Sequence, residues 1–257
     1  MTTDWWLYIA VTGAGVAAGF INTLAGSGSL LTLPLLMFMG LPANTANGTN
    51  RIGILFQCIV GTAGFRQQKV LDLRMGLVYG IPTVIGAIAG AALALSFTDV
   101  AMEKVIGILL LAMFFLVLLK PEVWIKGQEG KLQRKPNFWM IIVFFIIGLY
   151  GGFIQVGVGL FLLAGLVLGA GADLVKANAL KVFLVLLYTP VVLIFFMKEN
   201  QIDYLLGITL AIGSSIGAYL GTKVAVSWGP KFIRIVLLLA VLGFSLKLLG
   251  VFNFVSA

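Results

Sequence analysis

The sequence predicts an all-α polytopic membrane protein: two inverted-topology repeats of about five hydrophobic elements each, every repeat opened by a broken or short helix pair. Three observations carry this. Of 257 residues, 61% are hydrophobic and 10% charged, with a mean hydropathy of +1.11, well outside the range of soluble globular chains. The second half of the chain repeats the first. The basic residues collect in a few short connections.

Taken in order, apolar segments run over Trp5–Ala25, Leu30–Leu41, Ala46–Phe65, Leu73–Phe97 and Val105–Leu119, and then over Phe138–Gln155, Gly157–Gly169, Ala177–Met197, Tyr204–Trp228 and Phe232–Leu249. The first has no basic region before its apolar run, so it reads as a retained span and not as a signal peptide, with Trp5, Trp6 and Tyr8 as an interfacial belt. The second element of each half has about a dozen residues, too few to cross roughly 30 Å of hydrocarbon as a plain helix. It is either the returning arm of a re-entrant hairpin or a short span in a thinned region. Between the halves lies a polar stretch, Lys120 to Pro136, which reads as a solvated linker. The expected division is a first transmembrane repeat over 1–120, a cytoplasmic linker over 121–136 and a second repeat over 137–257.

The duplication is visible at an offset of 131, which lays Asp72 on Asp203, Gly76 on Gly207, Ile81 on Ile212, Gly86 on Gly217, Ala87 on Ala218, Gly90 on Gly221, Ala94 on Ala225 and Ser96 on Ser227. A shared apolar composition does not produce that density of identities. The same offset aligns Ala46-Asn47 with Ala177-Asn178, and a two-residue gap brings Gly19-Phe20-Ile21-Asn22 onto Gly152-Phe153-Ile154-Gln155.

Orientation follows from the cations. The loop with Arg66, Lys69 and Arg74, the linker, and the turn near Lys223 and Lys231 are basic, whereas the connections around Asp99 and Glu199–Asp203 are not. Basic loops stay cytoplasmic, so the first repeat starts outside, the second starts inside, and both termini lie outside. Inverted repeats are the architecture of secondary transporters, whose sites form near the midplane where broken elements meet.

The net charge of +8 is a topology signal and does not point to nucleic acid. With one cysteine, Cys58, and no histidine, an internal disulfide and imidazole metal sites are excluded, and no cofactor is expected. All nine acids fall at segment ends or in loops, so no span carries a carboxylate of the kind that couples protons or sodium. Asp72 and Asp203 read as helix N-caps. Without a histidine, a buried acid pair or a nucleophile beside a base, an enzyme is the least supported class.

What remains is a polar stretch inside an apolar chain. Gly26-Ser27-Gly28-Ser29 breaks the first segment, and Asn44, Asn47, Thr49, Asn50 and Arg51 follow the turn at Gly40-Leu41-Pro42. Arg51 and Lys181 sit at matching places in the two repeats and read as a pair of cations for a small anion, with Asn47, Thr49, Asn50 and Asn178 as neutral donors. The plainer reading is that each cation snorkels to its helix end. Asn22 and Gln155 stand just before each break, where an amide can serve the freed backbone, a neighbouring helix or a ligand. Ser27 and Ser29 belong to a break whose open N–H groups can nest an anion. The glycines at 26, 28, 157 and 159 have no strand before them and no Gly-Lys-Ser/Thr after them, so they are not a phosphate loop. Gly86, Gly90, Gly217 and Gly221 read as close helix packing, and Cys58 as a small packing residue. Tyr188-Thr189-Pro190 can kink its helix near the site, opposite Gln57 of the other repeat.

On GFINTLAGSGSLLTLPLLMFMGLPANTANGTN and GGFIQVGVGLFLLAGLVLGAGADLVKANALKV, the chain resembles the sulfite exporter TauE/SafE family over essentially its whole length. It departs in carrying Gly-Ser-Gly-Ser where a longer glycine run is common, and Gly171 where the second half could have Pro. The resemblance implies a multi-pass protein of a prokaryotic cell membrane that exports small sulfur-containing anions such as sulfite or organosulfonates. The implied partners are the anion and the bilayer, with a homodimer left open. A passive anion channel and a membrane assembly factor without flux remain the alternatives.

Overall fold

The computed structural model describes residues 5–119 and 137–248, with side chains placed for 5–109 and 137–228. The linker over 121–136 and the two chain ends, on which the expected cytoplasmic and external placements rest, lie outside the described residues.

Among the described residues nine helices follow one another: α1 Trp5–Ala25, α2 Ser29–Phe38, α3 Ala43–Gln67, α4 Leu73–Leu95, α5 Asp99–Leu119, α6 Phe138–Phe153, α7 Val158–Ala164 with a π-helical turn Gly165–Gly169, α8 Leu174–Lys198 and α9 Tyr204–Leu248. No strand occurs among the described residues. Trp5–Ala25, Leu73–Leu95, Leu174–Lys198 and Tyr204–Trp228 are each long and apolar enough to cross a membrane. Their exteriors carry Ile81, Ile85, Ile208 and Ile212, a surface suited to lipid and not to water.

The starts are capped as the sequence predicts. Asp72 accepts from Met75 N at 3.0 Å and Asp203 from Leu206 N at 2.9 Å, each serving an N–H that has no partner inside its helix. Asp173 does the same for Val175 and Lys176 at the head of α8.

The short elements are the returning arms of hairpins. Phe161 stacks edge-on against Tyr150 with centroids 5.2 Å apart, Gly165 faces Phe144, and Gly169 faces Met140, so α7 and its π turn run back along α6. In the first half Gly28 lies against Ala18 and Asn22, which requires the same reversal at Gly26. Ten residues of α2 reach only about 15 Å. Thr32 on α2 then meets Asn50 on α3, so the chain reverses again after Gly40-Leu41-Pro42.

Close glycine contacts set the helix directions. Gly86 and Gly90 on α4 face Phe145 and Leu149 on α6, in rising order, so these helices are parallel. By the same reasoning, Gly213 and Gly217 on α9 face Thr12 and Val16 on α1, and Gly53 and Gly64 on α3 face Leu210 and Thr222 on α9. Gly76 and Gly80 make α4 parallel to α8 through Phe183 and Leu187. Helix α3 is antiparallel to α8, since Arg51 meets Phe196 while Gly61 meets Val182. The first, third and ninth helices thus point one way, and the fourth, sixth and eighth the other. The opening helix of each half packs on the fourth helix of the opposite half, with small residues allowing backbone-to-backbone approach.

One boundary differs from expectation. The segments expected at Tyr204–Trp228 and Phe232–Leu249 form one 45-residue helix, about 68 Å long. The backbone stays helical through Gly229-Pro230, since a proline's fixed φ is compatible with a helix even though it loses one N–H bond and crowds the preceding turn.

Candidate functional site

Two breaks meet at the centre. Gly26 and Gly157 hold left-handed φ values of 76° and 68°, and a Cβ built on Gly26 would stand 2.5 Å from the Cα of Gly159. The two interrupted backbones therefore touch, one from each half. Such exposed peptide groups are tolerated at membrane depth only with partners inside the protein.

Those partners come from the opposite half. Arg51, fully buried on α3, donates from Nη1 to Gly151 O at 3.1 Å and Gln155 Oε1 at 2.8 Å, and from Nη2 to Gly152 O at 2.7 Å and Asn47 Oδ1 at 3.4 Å. Asn47 Nδ2 donates to Phe153 O at 2.9 Å. Three successive carbonyls at the end of α6 are thus served by α3. Lys181 on α8 does the corresponding work for α1, donating from Nζ to Asn22 O at 2.8 Å, Thr23 O at 3.0 Å and Asn178 Oδ1 at 2.7 Å. A cation at a helix C-terminus also meets the negative end of the dipole. Phe196 lies under the Arg51 guanidinium at 4.9 Å.

Among the described residues no carboxylate pairs with either cation; the one ion pair there is the exposed Lys176–Asp173 contact at 3.5 Å. Two helix ends offset roughly half a charge each, so the centre keeps a net positive charge.

The amides before the breaks behave as a repeat-related pair. Asn22 Nδ2 donates to Gln57 Oε1 at 3.0 Å, and Gln155 Nε2 donates to Tyr188 Oη at 2.9 Å. Gln57 and Tyr188 are themselves one repeat offset apart. Between them lies a cavity of about 10 Å³ walled by Asn22, Ser29, Gln57, Cys58, Gln155 and Lys181. That is room for about one water molecule.

Of the residues singled out in the sequence, Asn22, Ser29, Gln155 and Lys181 face this cavity. Arg51, Asn47 and Asn178 form the layer behind it. Asn50 Oδ1 accepts from Thr32 Oγ1 at 2.7 Å, and Ser27 is buried beside the first break. Thr49 lies apart, its Oγ1 accepting from Asp203 N at 2.8 Å at the head of α9. Ser27 Oγ, Asn50 Nδ2, Arg51 Nε and Asn178 Nδ2 have no hydrogen-bond partner, and every one can donate. Gln57 and Cys58 join the wall from outside the expected set; the repeat offset that pairs Gln57 with Tyr188 was the signal for the first.

A family model described as sulfite exporter TauE/SafE matches residues 11–248, nearly the full chain. The chain belongs to the TauE/SafE family. Its relatives in that family include the probable membrane transporter protein ORF9 of Sinorhizobium sp, 27% identical over 92% of this chain and 90% of the relative. The probable membrane transporter protein YfcA of Escherichia coli K12 is 28% identical over 90% of this chain and 86% of its own length. YunE of Bacillus subtilis, also a probable membrane transporter, is 23% identical over 96% and 99%. No solved structure matches. The family description and the names of these relatives all point to membrane transport.

Proposed function

We propose that this TauE/SafE protein is a secondary transporter that exports small sulfur-containing anions, sulfite or an organosulfonate, by alternating access between its two halves. The observation that supports it most is the pair of buried cations, each seated on a broken helix of the opposite half, without a carboxylate partner among the described residues, around a cavity walled by both halves. A small anion there supplies the missing charge and acceptors for Lys181 and the cavity-lining amides. The cavity is too small for sulfite, so this conformation is closed around the site, and entry needs the halves to part.

Direction follows from energetics. One elementary charge crossing 100 mV is worth about 2.3 kcal/mol, so an inside-negative membrane favours anion exit by roughly 50-fold per charge. Export therefore needs no coupling carboxylate. In this reading the protein lies in a prokaryotic cytoplasmic membrane with its N-terminus outside and the linker over 121–136 inside, its repeats spanning 1–120 and 137–257.

The test is efflux of labelled sulfite from vesicles under an imposed potential. Flux that rises with inside-negative potential and falls on loss of Lys181 is expected. Flux indifferent to both overturns the reading, single-channel currents move it to a passive channel, and no flux with a harmless Arg51→Ala moves it to an assembly role.

A further inference from the structure

The two buried cations look alike in sequence and differ in surroundings. Arg51 does not reach the cavity, because Gln155 stands between them and accepts its Nη1. Four hydrogen bonds and the Phe196 ring hold its planar fork, a geometry well suited to diverging carbonyls. Asn47 completes that cap by donating to Phe153 O.

Lys181 lines the cavity itself. Its ammonium is a compact charge on a flexible stem, free to turn toward new acceptors. Asn178, which matches Asn47 by repeat position, accepts from Lys181 but leaves its own Nδ2 without a partner although the residue is fully buried. Arg51 Nε is left in the same way on the other cap, and neither Arg51 nor Asn178 faces the cavity, so what separates the two cations is that only Lys181 does.

Resting on the transport reading above, we infer that the cations have divided roles: Lys181 is the substrate-binding cation, which exchanges the Asn22 and Thr23 carbonyls for the anion, while Arg51 is a positioning residue that stays on α6. Asn22, Ser29 and Gln57, which wall the same cavity, complete the anion's shell. The exchange also uncaps α1 directly before Gly26, so occupancy loosens the first hairpin and leaves the second intact. Binding and opening are thereby coupled through one ammonium group.

The experiment measures KM and maximal rate for labelled sulfite in vesicles, together with the sulfite-induced shift in thermal midpoint of the purified protein. Lys181→Gln and Ser29→Ala are expected to raise KM by about tenfold or more and to lose most of that shift. Arg51→Lys is expected to lower the midpoint without sulfite while keeping KM within about twofold and keeping the shift. Equal KM effects at both cations, or an unchanged KM in Lys181→Gln, overturn the division of roles. If Lys181→Gln fails to fold, Ser29→Ala decides, since Ser29 walls the cavity and makes none of the Lys181 hydrogen bonds; an unchanged KM there overturns the inference. Wild-type vesicles that pass no sulfite overturn the transport reading itself, a distinguishable result.

Discussion

Gly26 and Gly159 meet backbone to backbone at the point where the two interrupted helices approach each other. Neither position can take a side chain. At Gly26 the left-handed φ of 76° adds to the steric conflict.

Gly26→Ala is accordingly expected to cost about 2–5 kcal/mol, from backbone strain plus overpacking. Gly13→Ala is the control, because nothing lies within 4 Å of the Cβ it would add. Thermal midpoints of the two variants in detergent check this; equal midpoints would remove the crossing from the account.

Arg51→Leu leaves the carbonyls of Gly151 and Gly152 buried without that partner. A loss above about 3 kcal/mol is expected, with Arg51→Lys recovering part of it. Denaturation in mixed micelles measures the difference.

Thr49→Val removes the acceptor for Asp203 N and is expected to cost about 1–3 kcal/mol. Its KM for sulfite should match the wild type, since Thr49 serves the head of α9 and not the cavity. A raised KM would return Thr49 to the site.

Tyr188→Phe strands Gln155 Nε2, which now donates to the phenol oxygen at 2.9 Å. Flux per folded molecule is expected to fall several-fold, as the amide that separates Arg51 from the cavity loses its anchor. Rates normalised to the folded fraction provide the check.

Much of this was legible in the chain. The apolar segments, the offset of 131 and the basic loops point to two related halves, and the caps at Asp72 and Asp203 follow from residue type and place alone. Arg51 and Lys181 stood out because cations within apolar segments need a reason. Their partners did not show, since each reaches across to carbonyls that lie 100 or more residues away. Thr49 sat among plausible donors, yet the face of α3 it occupies turns to α9. The run of polar residues along the start of α3 does not tell which of them meets the cavity and which meets another helix.

The sequence by itself pointed to a helical membrane protein with related halves, its charge mostly in short connections and two cations at matched places within apolar segments, because hydrophobic length, turn chemistry and loop charge are local properties. Only the tertiary structure decided that these cations grip the ends of the opposite half's broken helices, and that one of them faces the cavity while the other is screened by Gln155. Carbonyls freed by a break look the same in sequence wherever they point, and which side chain satisfies them depends on how the halves pack.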